Sequence, residues 1–289
     1  MTQANTMKRY LLVLFLLLAL GACSSTTFFY NRLDFILPWY VQDYVELNGQ
    51  QEQYLDELLR PFLARHRIEE LPAYLEILGQ IEALLDRPEP LVAADIEAIW
   101  LGAEEAGLRL EAQALDWLLD LGGELSDEQI EEFLDNLEEQ QVEFEEEYLE
   151  RTDEEFVEDT IENMENGLKD YLGRLDKDQQ QLLADTAGSM MRSDTLWLTE
   201  RAEWIAELRQ LLERDLGWEQ ALRDTIKRRR DNLPEPYVAM VEHNSALLYD
   251  MTAQLLNSRS EKQDRKLRKR LQELSADLQT LIAQADEQG

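Results

Sequence analysis

Apolar residues recur at steps of three and four along most of this chain, the signature of helices with one buried face. Ile130, Phe133, Leu137, Phe144 and Tyr148 form one such series, and Phe156, Thr160, Met164, Leu168 and Tyr171 form the next. Leu267, Leu271, Leu274, Leu278 and Leu281 alternate steps of four and three, a narrow seam of the coiled-coil kind. No run alternates apolar and polar residues between turn signals, so no strand is predicted. Only 12 glycines and 7 prolines interrupt a sequence rich in good helix formers. The pattern predicts an all-α fold, an elongated multi-helix bundle of helical hairpins with no sheet.

Helix starts are marked by a recurring device. A capping residue is followed three positions later by Gln and four further on by an apolar residue: Asn48, Gln51, Leu55; Ser126, Gln129, Phe133; Asp176, Gln179, Leu183; Ser260, Gln263, Leu267. In this capping box the cap side chain accepts from the third helical amide, and Gln reaches back to the amide of the cap. Leu precedes the first three caps and Arg259 the fourth. The four starts are expected to open the second halves of hairpins. Further helices are predicted over 29–46, interrupted at Pro38, and over 49–68, with a kink at Pro61. Another is predicted to open at Pro72 and end near Asp86. Pro88-Glu89-Pro90 reads as a linker. The next helix, 92–120, should stop at Gly122-Gly123. Residues 127–172 read as one long helix with a break at the Thr152 capping box. Helices over 177–190, 194–215, 217–231, 235–256 and 261–285 complete the chain.

The N-terminus departs from this pattern. Lys8 and Arg9 precede eleven unbroken apolar residues, Tyr10 to Leu20, too few to span a bilayer, which takes about 20. Leu20-Gly21-Ala22-Cys23 follows, with small residues before a cysteine, and is similar to a lipobox, the bacterial lipoprotein cleavage signal. Residues 1–22 are therefore expected to be a signal peptide, with translation starting at Met1 or Met7. Cys23 is the expected lipidation site, carrying a diacylglycerol and palmitate. Residues 23–28 would be the anchor and tether, and 29–289 the helical periplasmic domain, with possible subdivisions near 88–90 and 122–125. Cys23 is the single cysteine, so no disulfide framework is possible. The first helix after it is apolar nearly all round: Phe28, Phe29, Tyr30, Phe35, Trp39, Tyr40 and Tyr44. It is expected to be the central core helix; the alternative places its aromatics at the lipid interface.

Charge adds exclusions. The net charge of −33 becomes −35 once Lys8 and Arg9 leave with the signal, and a field of that sign repels nucleic acid. Residues 126–173 hold twenty acidic and two basic residues, Arg151 and Lys169, yet keep the helical apolar series. They therefore predict an amphipathic helix with an acidic, solvated face. Basic residues concentrate in Lys227-Arg228-Arg229-Arg230 and again over 259–270. Pairing with the acidic helix is the simplest expectation. The sharper one is a basic docking surface of Arg228, Arg229, Arg230, Arg265, Lys266 and Lys269 for an acidic partner.

His66, flanked by Arg65, Arg67, Glu69 and Glu70, is the one chemically dense spot, and Glu69 or Glu70 could orient its imidazole. The other histidine, His243, is far off in sequence. No zinc motif, nucleophile elbow or phosphate-binding glycine loop is present, so no cofactor, metal or catalytic residue is expected. His66, Arg67 and Glu70 are expected to form a hydrogen-bonded polar cluster at a helix junction.

Taken together, Phe29-Tyr30-Asn31-Arg32-Leu33-Asp34, Trp39-Tyr40, Asp43-Tyr44-Val45, His66-Arg67, Glu69-Glu70-Leu71-Pro72 and Tyr74 resemble a family of Gram-negative bacterial lipoproteins known only as a domain of unknown function. Leu196-Trp197-Leu198, Glu203-Trp204 and Arg268-Lys269-Arg270-Leu271 are similar to it as well. The resemblance implies a helical envelope lipoprotein and no particular activity. The Leu-Ser-x-x-Gln boxes also resemble the signature of small helical periplasmic chaperones of the Spy and CpxP type. The expected function is a non-enzymatic scaffold or protein-binding module facing an unknown envelope protein. A periplasmic holdase and a hydrolase using His66 are the alternatives. Ser24 after the cysteine implies the periplasmic face of the outer membrane.

Overall fold

The computed structural model describes residues 25–286, and Cys23 with the rest of the N-terminal segment lies outside them. Among the described residues there are eleven helices and no strand, the all-α class expected. They are α1 (Ser25–Tyr30), α2 (Leu33–Gln42), α3 (Gly49–Asp86), α4 (Ala93–Glu124), α5 (Asp127–Leu149), α6 (Asp153–Leu172), α7 (Lys177–Ser189), α8 (Asp194–Leu211), α9 (Trp218–Asp231), α10 (Glu235–Asn257) and α11 (Glu261–Asp286). No described helix is long and apolar enough to cross a membrane.

The 38-residue α3 is the spine, about 57 Å long at 1.5 Å per residue. It packs against α2, α4 and α11; α4 in turn packs on α10, α5 on α8, and α6 on α7 and α11. Pro61 and Pro72 both lie inside α3, so Pro72 does not open a new helix. A proline there forfeits a backbone hydrogen bond and costs about 3 kcal/mol. Leu55, Leu59, Phe62, Leu71 and Tyr74 are buried around the two prolines and offset that loss by packing. Gly122-Gly123 likewise does not stop α4, which runs on to Glu124. Gly122 serves close packing instead: a Cβ there would come within 3.3 Å of the Trp218 ring. The predicted break after α5 is present, with Thr152 capping α6.

All four Asn/Ser/Asp-x-x-Gln starts form helix caps, and their glutamines meet in pairs. Gln51 Nε2 donates to Gln129 Oε1 and Gln129 Nε2 donates back to Gln51 Oε1, each at 2.8 Å. The remaining protons go to Glu124 O and Glu46 O, and each Oε1 also accepts from its own cap amide. Both amides are thereby saturated. Gln179 and Gln263 repeat the arrangement, at 3.2 and 2.8 Å, with Gln263 also donating to Arg174 O. The first pair ties the start of α3 to that of α5, and the second ties α7 to α11. The leucine before each of the first three caps is buried, as are Leu55, Leu183 and Leu267 beyond.

Four apolar clusters fill the bundle. The largest joins α3, α4, α5, α8 and α9 around Leu55, Leu59, Trp117 and Leu134. The α11 seam is buried throughout, from Leu267 to Leu281, against α3, α6 and α1. The aromatic first helix is not the core helix expected. It is split at Asn31-Arg32 rather than at Pro38, and no residue of α2 is buried. Only its inner positions, Tyr30, Leu33, Leu37 and Val41, pack on the clusters. A helix of ten residues laid on the flank of α3 has one covered face, whatever its composition.

Candidate functional site

The densest buried chemistry lies where α1, α3 and α4 meet. His66 is 4 % exposed and ringed by Tyr30, Phe62 and Tyr74, with ring centroids 5.7 to 6.3 Å away. Its Nδ1 lies 2.8 Å from the Tyr30 hydroxyl and its Nε2 3.3 Å from the Tyr74 hydroxyl. A neutral imidazole has one donor and one acceptor nitrogen, so one phenol accepts and the other donates. Burial pulls the His66 pKa down to about 4; Glu70 draws it back up and Arg67 pushes it down. Burial raises both phenols, Tyr30 to about 12.

Glu70 does not orient the imidazole. Its carboxylate, 2 % exposed, accepts from Arg109 Nε and Nη2 at 3.1 to 3.3 Å and from Gln113 Nε2 at 2.9 Å, both on α4. Glu69 is exposed. Arg67 turns the other way: it donates to Asn31 Oδ1 at 2.8 Å and stacks over Tyr30 at 5.1 Å. His66 and Arg67 thus meet at Tyr30, while Glu70 bonds to Arg109 and Gln113 on α4 instead. One turn of α3 separates His66 from Glu70, which sets both on the inner face. Arg109 and Gln113 carry no sequence signal that would pair them with Glu70. A base with a pKa near 4 and both nitrogens engaged is poorly matched to proton transfer at neutral pH. The two clearest surface depressions lie elsewhere, one along the acidic face from Asp127 to Asn136 and one at the 84–91 linker with Asn257 and Arg259.

Every residue of the basic set has an intramolecular partner. Arg228 pairs with Glu207, Arg229 with Glu200 and Glu207, and Arg230 with Glu111. Arg265 reaches Glu261, Lys269 reaches Glu273, and the Lys266 amine donates to Lys169 O at 2.6 Å. The carboxylate partners belong to α4, α8 and α11, not to the acidic face of α5 and α6, and Lys266 meets α6 only at a backbone carbonyl. That face is held instead by Arg209, which pairs with Glu131, Asp135 and Glu138, and by Arg214, which pairs with Asp127.

A second buried ionic centre was not foreseen. Asp194, at the first turn of α8, accepts from Arg151 at 2.7 Å and from Arg192 at 2.8 Å. Arg151 also pairs with Asp159, and Arg192 with Asp153. Both guanidinium groups stand over the Phe156 ring. The centre joins α5, α6 and α8 at the Thr152 break. Only the isolated Arg151 in an acidic stretch hinted at it. Among the described residues no group of three His, Cys, Asp or Glu is placed to hold a metal ion.

Fold and site define an all-helical bundle protein with a buried, hydrogen-bonded polar junction, in which Gln113 Oε1 is left without a partner. The chain belongs to a family of unknown function, DUF6279, whose model matches residues 43–238. No curated protein and no solved structure matches it. The matched span includes His66, Glu70, Arg109, the first glutamine pair and the Asp194 centre; α1, α2, most of α10 and α11 lie outside it.

Proposed function

We propose that this protein is a lipid-anchored lipoprotein of the bacterial envelope that works by protein contact rather than catalysis, held at the periplasmic face of the outer membrane. The Leu20-Gly21-Ala22-Cys23 sequence behind a short basic and apolar segment carries the address. The observation that carries the non-enzymatic reading is His66: among the described residues the densest cluster with catalytic chemistry has both imidazole nitrogens bonded to buried phenols. Glu70 is likewise committed to Arg109 and Gln113. These groups lock α1, α3 and α4 together. Recognition would then use exposed helix faces.

Crosslinking in intact cells followed by mass spectrometry tests this. Recovery of one envelope protein in fixed proportion is the expected result. Recovery of many unrelated unfolded clients would replace the scaffold with a holdase. Loss of a hydrolytic activity on His66→Gln, in a protein that remains folded, would contradict the non-enzymatic reading.

A further inference from the structure

The geometry points to a second, non-covalent membrane contact: the outer face of α1 and α2 lies in the bilayer interface and lays the bundle flat against the lipid. This rests on lipidation of Cys23 and goes beyond it, because a lipid tail alone leaves the orientation of the domain free.

Within α1 Phe28 lies opposite Tyr30, and within α2 Phe35 and Trp39 lie one turn apart opposite Leu33, Leu37 and Val41, while Arg32, in the turn between the helices, reaches back over Phe28. The inner four pack on the bundle. The outer aromatics have no such cover: Phe35 is 73 % and Trp39 60 % exposed, with Phe28 and Phe29 about half exposed and Tyr40 on the flank. Aromatic residues of this size, clustered on one face, are what the bilayer interface accommodates best. Water is a poor solvent for a contiguous face of this kind.

Position and charge select lipid over a protein partner. Phe28 is five residues after Cys23, so a fully extended link of about 3.5 Å per residue keeps it within about 18 Å of the acyl chains. Acidic residues make up 61 of 289 positions, yet Asp34 is the sole carboxylate from Ser24 through Gln42. The one cation on the outer face, Arg32, stands 4.3 Å over the Phe28 ring, able to extend to a lipid phosphate while its stem covers the ring.

The test uses the lipidated protein, purified from membranes and reconstituted into phosphatidylcholine vesicles. Once Cys23 is acylated the chain has no other thiol. Phe35→Cys and Ala221→Cys therefore each accept a single environment-sensitive fluorophore. Both positions are exposed, and α9, which carries Ala221, packs beside α8 and pairs with α4. The fluorophore at 35 should shift to the blue and be quenched severalfold more by headgroup-level nitroxide lipid than the one at 221. Equal, water-like spectra at both sites in vesicle-bound, acylated protein would overturn the membrane contact and leave the lipoprotein reading intact. Shielding at 35 from both lipid nitroxide and aqueous quencher would assign the face to a protein, a second copy included, and overturn it too. An unacylated Cys23 in the purified protein, seen by mass, would overturn both readings together.

Discussion

The His66 ring gives up water for two phenols and three aromatic faces, and that exchange makes stability depend on pH. Above about pH 6.5, the ordinary histidine value, the imidazole is neutral in both the folded and the unfolded chain. Below it the unfolded chain binds a proton that the folded one, with its pKa near 4, refuses. Folding stability from this group is therefore complete above 6.5, falls as pH drops, and is fully lost below 4. The groups facing the ring, Tyr30, Tyr74, Arg67 and the Arg109-paired Glu70, leave that direction unchanged. By pH 5 the loss is about 2 kcal/mol. Denaturant titrations of wild type and His66→Gln from pH 7.5 to 5 should show wild type losing that amount relative to the variant; a constant difference would mean His66 titrates normally. Asp194 tests a different kind of burial. Asp194→Ala removes the buried acceptor that Arg151 and Arg192 share, leaving them Asp159 and Asp153, and should cost about 1.5–3 kcal/mol in denaturant unfolding. The local density of charge made His66 legible in the sequence. The pairing of Asp194 with Arg151 and of Glu70 with Arg109 was not legible, because each joins residues about 40 apart through tertiary packing alone.

At the scale of helices, the capping boxes could be read because their physics is local, confined to four residues. Their pairing could not, since nothing in Asn48-x-x-Gln51 names Gln129 as its partner. The same distinction explains the helix boundaries that moved. Pro72 is a stop signal in isolation, and packing on both sides overrides it. The aromatic α1–α2 segment failed as a core helix for a related reason: composition reports how apolar a helix is, not which neighbours exist to cover it. The glutamine pairs make a quantitative prediction. Gln51→Leu or Gln129→Leu leaves the facing amide short of partners and should cost about 1–3 kcal/mol. The double variant should cost less than the sum, with a coupling of about 0.5 kcal/mol or more in a double-mutant cycle. Additive losses would mean that the two amides act independently.

Across the whole molecule, the excess of 33 negative charges outlasts every internal ion pair. Arg209, Arg214 and Arg192 pin parts of the acidic face, but most of its carboxylates have no cation opposite. Salt should therefore stabilise the bundle: raising ionic strength from about 0.01 M to about 0.15 M shortens the screening length from about 30 to about 8 Å and should raise Tm. A falling Tm would give the surface ion pairs the larger share. The same charge keeps the bulk of the domain off anionic surfaces; in the proposed reading a lipid on Cys23 and the aromatic face after it would set where the molecule resides. The all-helical class was legible from hydrophobic period alone. The proposed address rests on the sequence of residues 8–23, which lie outside the described residues. The measurement that bears most directly on the account is the mass of the N-terminal peptide of the protein recovered from cells. The account predicts a chain beginning at Cys23 and carrying acyl groups in the membrane fraction, with Cys23→Ala left unacylated. An intact chain beginning at Met1 or Met7, unmodified and among the cytosolic proteins, would contradict it.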